Sequence, residues 1–381
     1  MNFRSYALGL IALGAAPFVG VVTANVVLDP QTVFGTGLVK ASPNINTRYR
    51  QFAAYRAQAS RHDGLLFGSS RGRAMPLDEL SRRMGATFAS FAVDQGSMVD
   101  HLAALEYVLR DKASRHEALR AVFLLLDVDV AGEQPKANRF IQTLMPPELS
   151  GEGAIRFWWR NLIAIQPKAW RSTIAAARVQ ARAPAAQLQA TLGRESPGAV
   201  PTPASPPAQV ETPAPAAPLP TSVVRESVGA ALTPASPPVP VETPAPAAPL
   251  QTITDSVYFD EQLQLLKRFA ALCQKHGIAL VVATTPLSPL NTASFKPGEL
   301  EAVANSMSRI VPLWDFSRPH PALQPSQRWR DPNHFTAEVA QVMVERIFGE
   351  AIPAEWSRFG QLRVQGDAIV SSRSGGPYTQ P

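Results

Sequence analysis

At 381 residues with a net charge of +6, the chain is long enough for two domains, yet its composition leaves material for one. Sixteen of the 36 prolines fall between Pro197 and Pro249, and a stretch like that, without aromatic residues, cannot bury enough apolar surface to offset its ordering entropy. The positive excess is spread along the chain. That argues against a dedicated nucleic-acid groove, which needs a concentrated basic stripe, and suits an anionic membrane surface or polymer.

The first element is an apolar run. No charged residue occurs from Ser5 to Leu28, which is about the length a bilayer-spanning helix requires, and Arg4 lies on the flank expected to stay cytoplasmic. Val22-Thr23-Ala24 offers a cleaved signal peptide as the alternative. The run continues past Ala24, so an uncleaved anchor at 1–28 is the preferred reading, and both readings export the chain beyond Asp29. LDPQTVFG then reads as an extended segment leaving the membrane, and a helical pattern surrounds Tyr49 to Ala59.

GLLFGSS, stopped by glycine, reads as a buried strand ending in a turn. PLDELSRRM begins a helix at a proline, ATFASFAV is a second strand, and MVDHLAALEYVLRDK has helical spacing. LRAVFLLLDVDV is continuous and branched-aliphatic, as in a parallel sheet covered on both faces. Residues 156–182 are aromatic, basic and helical, interrupted at Pro167. Packing across the domain is the preferred reading there, with an interfacial membrane helix as the alternative.

TPASPPAQVETPAPAAPLPT at 202–221 returns as TPASPPVPVETPAPAAPLQT at 233–252, a duplicated, extended linker. Beyond it, a helix from Phe259 carries the one cysteine, Cys273, whose mid-helix place points to burial rather than nucleophilic chemistry. IALVVATTPLS and VPLWDFS read as strands, with GELEAVANSMSRI as a helix between them. RDPNHFTAEVAQVMVERIFG is a polar turn followed by a helix. Alternating strands and helices predict an α/β domain, a three-layer sandwich around a mainly parallel sheet. Its two parts, 29–183 and 253–350, flank a disordered insert at 184–252, and 351–381 reads as a polar C-terminal tail.

Two polar turns stand out: Gly68-Ser69-Ser70-Arg71 after the first strand, and Asp331-Pro332-Asn333-His334 before the last helix. Sites in open α/β sheets collect at the carboxyl ends of strands. Serine, histidine and aspartate are the parts of acyl transfer, in which the serine attacks, the histidine takes its proton and the aspartate orients the imidazole. Taken singly, each turn has a structural alternative as a helix cap or polar turn. Six histidines without ligand-like spacing give no metal site, and no cofactor is called for.

On these motifs the chain resembles the SGNH hydrolase-like family, and within it the membrane-anchored, exported members of D-alanyl-lipoteichoic-acid transfer and alginate O-acetylation. The resemblance runs from LDPQTVFG to Gly349, excluding the proline-rich insert. It implies a flavodoxin-like three-layer fold, with Ser70 of GSSR as nucleophile, His334 of RDPNHFT as base and Asp331 as its orienting acid. In VDQGSM it implies that the Gly96 N–H, beside that of Ser70, stabilises the oxyanion. Where the family usually supplies an asparagine, this chain has Asp127 and Asp129. An ionised aspartate repels a developing oxyanion, and one lost donor costs about two to three orders of magnitude in rate; Arg71 is a candidate replacement.

The expected function is an exported esterase or O-acyltransferase on the periplasmic side of a bacterial inner membrane, anchored by a single pass. It would act through an acyl-serine on a cell-envelope polysaccharide or other acylated polymer, with a membrane-bound acyl donor as partner and no nucleic acid. The alternative is a catalytically degenerate polymer-binding or assembly protein on the same fold.

Overall fold

The computed structural model describes residues 3–36, 46–133, 145–182, 250, 252–364 and 369–370. The chain divides into two units, one of residues 1–182 with 250–381 and one of 183–249. The second unit lies outside the described residues, and with it nearly all of the insert expected to be disordered.

In the first unit, β1 (Gly64–Gly68), β2 (Phe88–Ala92), β3 (Ala121–Leu126), β4 (Ala279–Thr284) and β5 (Leu313–Asp315) are parallel neighbours in the order β2-β1-β3-β4-β5. Each coincides with an apolar run, because a central parallel strand is buried on both faces. Leu65 and Phe67 of β1 face one core with Val122 and Leu124 of β3, while Leu66, Phe123 and Leu125 face the other. The first core is closed by α4 (Met98–Ser114), α7 (Val257–Lys275) and α8 (Glu299–Ser308). The second is closed by α3 (Leu77–Met84) and α9 (Ala337–Ile347). The strand order reverses between β1 and β3, so the crevice at their carboxyl ends is the topological switch point of the sheet.

The other described helices of eight residues or more lie before β1 and between β3 and β4. They are α1 (Phe3–Leu28), α2 (Thr47–Ala57), α5 (Ala154–Ile163) and α6 (Pro167–Arg182). Pro167 opens α6, where its missing N–H costs nothing. Among the described residues no helix is long and apolar enough to cross a membrane, so the expected anchor is not a finding of the structure.

Three local expectations are corrected. LDPQTVFG is not extended, because the Asp29 carboxylate accepts the N–H groups of Val33 (2.8 Å), Phe34 (3.2 Å) and Gly35 (2.8 Å) and folds the chain into a turn. DPNH is more than a turn: β6 (Trp329–Asp331) and β7 (His334–Phe335) form an antiparallel hairpin around Pro332 and Asn333. The polar tail begins later than residue 351. Trp356 and Phe359 are buried, and β8 (Gln361–Arg363) adds antiparallel to β5 as the sixth strand. A two-residue strand, β9 (Ile369–Val370), extends that edge. Arg363 explains the misreading, since it is buried against Asp315 (Nε–Oδ2 2.8 Å) and a charge that looks solvated in the sequence is an internal ion pair.

Candidate active site

Ser70 lies two residues beyond the end of β1 and opens a short 3-10 helix, Ser70–Ala74. The Ser69 hydroxyl caps that turn by accepting the Arg71 N–H at 3.2 Å, which leaves Ser70 as the serine that faces the crevice. At the first position of the turn its N–H has no partner within the turn. Gly68 and Gly72 make the bend possible, because a Cβ at Gly68 would lie 3.3 Å from Leu125 Cβ and one at Gly72 3.1 Å from Ala92 Cβ.

The β6–β7 hairpin supplies the other half. Asp331 and His334 are directly opposed residues across its two-residue loop, and opposed residues put their side chains on one face within contact. The Asp-x-x-His spacing therefore has a geometric cause. His334 Nδ1 lies 2.8 Å from both Asp331 oxygens, and Nε2 lies 2.8 Å from Ser70 Oγ. With the proton on Nδ1, the ring donates to Asp331 and accepts from the Ser70 hydroxyl. The Asn333 N–H (2.9 Å) holds the Asp331 carboxyl below its usual range, helped by the imidazole. Asp331 is half exposed and His334 less so, at 48 and 23 % for the side chains, so solvent reaches the acid end of the chain.

Arg71 and Asp127 lie behind this row. Arg71 is buried and binds Asp129 through both terminal nitrogens at 2.6 Å, with Asp127 Oδ1 3.5 Å away. Its Nε donates to the Asn333 carbonyl at 2.9 Å, which ties the hairpin to the β1 turn. Burial alone would make Arg71 easier to deprotonate; the two carboxylates overcome that and raise it. Asp127 also accepts from the Thr285 hydroxyl at 2.9 Å. Burial pushes the Asp127 carboxyl up, against the pull of Arg71, and repulsion from Asp129 adds to the rise.

The structure thus alters two expected roles. Arg71 spends its guanidinium on Asp129, Asp127 and Asn333, so it braces the site instead of replacing the missing asparagine donor. Gly96 is adjacent to the crevice, but its N–H donates to the Val93 carbonyl at 3.0 Å. Glycine is required there for packing, since a Cβ would lie 2.7 Å from the Gly68 carbonyl oxygen and 2.9 Å from His101 Cε1.

The sequence reading missed Arg48. From α2 it binds Asp100 through Nε (3.0 Å) and Nη2 (2.9 Å), and the carbonyls of Asp94 (2.6 Å) and Gln95 (3.0 Å). It fixes the turn that carries Gly96, and no local pattern betrays a contact made across about fifty residues. His101, also unforeseen, is buried against the same turn, and burial pushes it down to about 4, so it is neutral at pH 7.

Several of these residues border a cavity of about 450 Å³. Ser70, Gly96, Asp127 and His334 line one part, and Met98, Leu266 and Met307 supply an apolar wall. Glu133 joins Asp127 and Asp129 there, so among the described residues the lining carries three carboxyl groups and one guanidinium, that of Arg71. That balance does not favour an anionic group at the reacting centre. Cys273 is buried elsewhere, its thiol pushed up to about 12 by burial, and takes no part. No family model, no curated protein and no solved structure matches the chain.

Proposed function

We propose that this protein is a serine acyl esterase or O-acyltransferase of the SGNH hydrolase-like kind. On this reading it is held at the periplasmic face of a bacterial inner membrane by the apolar run Ser5–Leu28 and acts on an acylated cell-envelope polysaccharide or similar polymer. The observation that carries the reading is the continuous row Asp331–His334–Ser70, with 2.8 Å on both sides of the imidazole. Such a row is the means by which a weak hydroxyl becomes a nucleophile.

Ser70 Oγ attacks the ester carbonyl carbon while its proton passes to His334 Nε2. Asp331 stabilises the resulting imidazolium without taking a proton itself. His334 then returns the proton to the departing alkoxide, leaving an acyl-Ser70. Water or a polymer hydroxyl, deprotonated by His334, attacks that ester; the acyl–Oγ bond breaks and His334 returns the proton to Ser70 Oγ, so the two outcomes are hydrolysis and transfer. The oxyanion receives the Ser70 N–H. The acidic surroundings suit an uncharged acyl group, with polymer charge, if any, lying outside the cavity.

A second reading is favoured by one observation. Asp127 holds a carboxyl group where the resemblance calls for an amide donor, and this suits a polymer-binding or assembly protein whose hydrolytic site has lapsed. A fluorophosphonate probe separates the two. The enzyme reading expects labelling that is abolished in Ser70→Ala and falls sharply in His334→Ala. Absence of labelling in the well-folded native chain selects the binding reading.

A further inference from the structure

The segment between β3 and the insert plays no part in the active site, yet it has an unusual surface. Residues 154–182 contain six basic residues (Arg156, Arg160, Lys168, Arg171, Arg178, Arg182) and no aspartate or glutamate. Phe157 and Asn161 of α5 turn inward, where Phe157 stacks on Tyr49 at 5.9 Å. Ile155, Trp158, Trp159, Ile163, Ile165 and Ile174 are left exposed, Ile155 at 88 %. A soluble surface seldom displays so many large apolar side chains together unless they meet a partner.

What lies beside them indicates the partner. Trp159 meets Phe18 of α1 with ring centroids 6.0 Å apart, and Trp158 meets Phe34 at 5.8 Å. Asn25, the polar interruption near the end of the apolar run, is buried by this segment. Its Nδ2 donates to the carbonyls of Leu162 (2.8 Å) and Ala164 (2.9 Å), and its Oδ1 accepts from Trp170 Nε1 at 2.9 Å. Gln31 donates to Gln166 at 2.6 Å. The α5–α6 corner is thus fastened to the carboxyl-terminal end of α1, and the exposed Leu13, Phe18 and Val19 of α1 continue its apolar face.

We infer that α5 and α6, fastened to α1 through Asn25, form a docking surface that seats this end of the domain in the interface of an anionic lipid bilayer. Tryptophan and isoleucine enter the boundary between headgroups and acyl chains, and the exposed Arg171 and Arg178 meet the lipid phosphates. Arg156 and Arg160 also share Glu152, at 3.3 and 2.6 Å, so α6 brings the larger part of the charge. The inference rests on the reading of Ser5–Leu28 as the membrane anchor. It adds that the domain is held against the membrane instead of swinging from it.

The full chain, reconstituted into phosphatidylglycerol–phosphatidylethanolamine vesicles, gives two separate readouts. Flotation with the vesicles reports the anchor, and quenching of tryptophan fluorescence by acyl-brominated lipid reports docking. The expected result is flotation of both the native chain and Trp158→Phe/Trp159→Phe, with quenching in the native chain that is mostly lost in the double variant. Lys168→Gln/Arg171→Gln/Arg178→Gln should make the remaining quenching insensitive to exchange of phosphatidylglycerol for phosphatidylcholine. Flotation without bromolipid quenching, or with iodide in the water quenching these tryptophans, overturns docking and leaves the anchor standing. A detergent-solubilised dimer that shields them from iodide overturns docking in favour of a second copy of the chain. Failure to float overturns the anchor, and docking with it.

Discussion

Two acid–base groupings meet at one crevice and differ in kind. Asp331 and His334 sit on a two-stranded hairpin at the protein surface, open to water. Asp127, Asp129 and Arg71 sit at the buried ends of β1 and β3, where the guanidinium is permanently charged. The first pair contains an imidazole that meets Asp331 on one side and Ser70 Oγ on the other. The second grouping cannot exchange its cation for a neutral form, so it serves to hold geometry. Asp129 takes both strong bonds from Arg71 and Asp127 only a distant one.

The sharpest way to break this contrast is Asp331→Asn. It leaves an exposed hairpin folded but favours the wrong imidazole tautomer, so fluorophosphonate labelling should fall by up to about 10⁴-fold, measured as a labelling rate against an unchanged melting curve. Arg71→Leu attacks the other side. It strands two buried carboxyl groups and should cost about 3–5 kcal/mol of stability, read from chemical denaturation; a loss under 1 kcal/mol would mean the cluster is not the brace described.

A third group, His101, lies deeper than either. The folded chain keeps it neutral down to about pH 4, whereas the unfolded chain protonates it near 6.5. Unfolding therefore takes up a proton between those values, and stability falls as pH drops through them, by about 3 kcal/mol in total. Denaturation midpoints at pH 7 and pH 5 should converge in His101→Leu relative to the native chain. Equal slopes in both would remove His101 as the cause.

Asp127→Asn tests the contrast in the constructive direction, because it places an amide where the structure has a carboxyl group and leaves Arg71 its stronger partner. Labelling should accelerate by about a hundredfold and still require His334. The smallest effect belongs to Thr285→Val, which removes one hydrogen bond from Asp127 and should cost about 1 kcal/mol.

The five parallel strands were legible because burial leaves them mostly apolar, with Ser90, Thr284 and Asp315 as the polar exceptions. Ser70, Asp331 and His334 were legible as polar interruptions at the edges of such runs. The hairpin was not, since RDPNHF is polar and its strands are two and three residues long, too short to show a period. β8 was hidden for a different reason. Arg363 is charged in the sequence and buried in the fold, and only Asp315, far away in the chain, resolves that conflict. The engagement of the Gly96 N–H and the grip of Arg48 depend on contacts across the fold, which residue type and spacing do not encode.

The pairing of β3 with β4 has a practical consequence. Its six residue pairs, from Ala121↔Ala279 to Leu126↔Thr284, join chain that precedes residue 183 to chain beyond 249. A backbone cut anywhere between those positions puts Ser70 and Asp127 on one fragment and Asp331 and His334 on the other. Neither fragment holds the whole Asp331–His334–Ser70 row, and the shared ladder with the Arg71–Asn333 bond would have to bring them back together. Co-expressed as two polypeptides, the halves would make fluorophosphonate labelling of Ser70, on the proposed reading, a readout of their own reassembly.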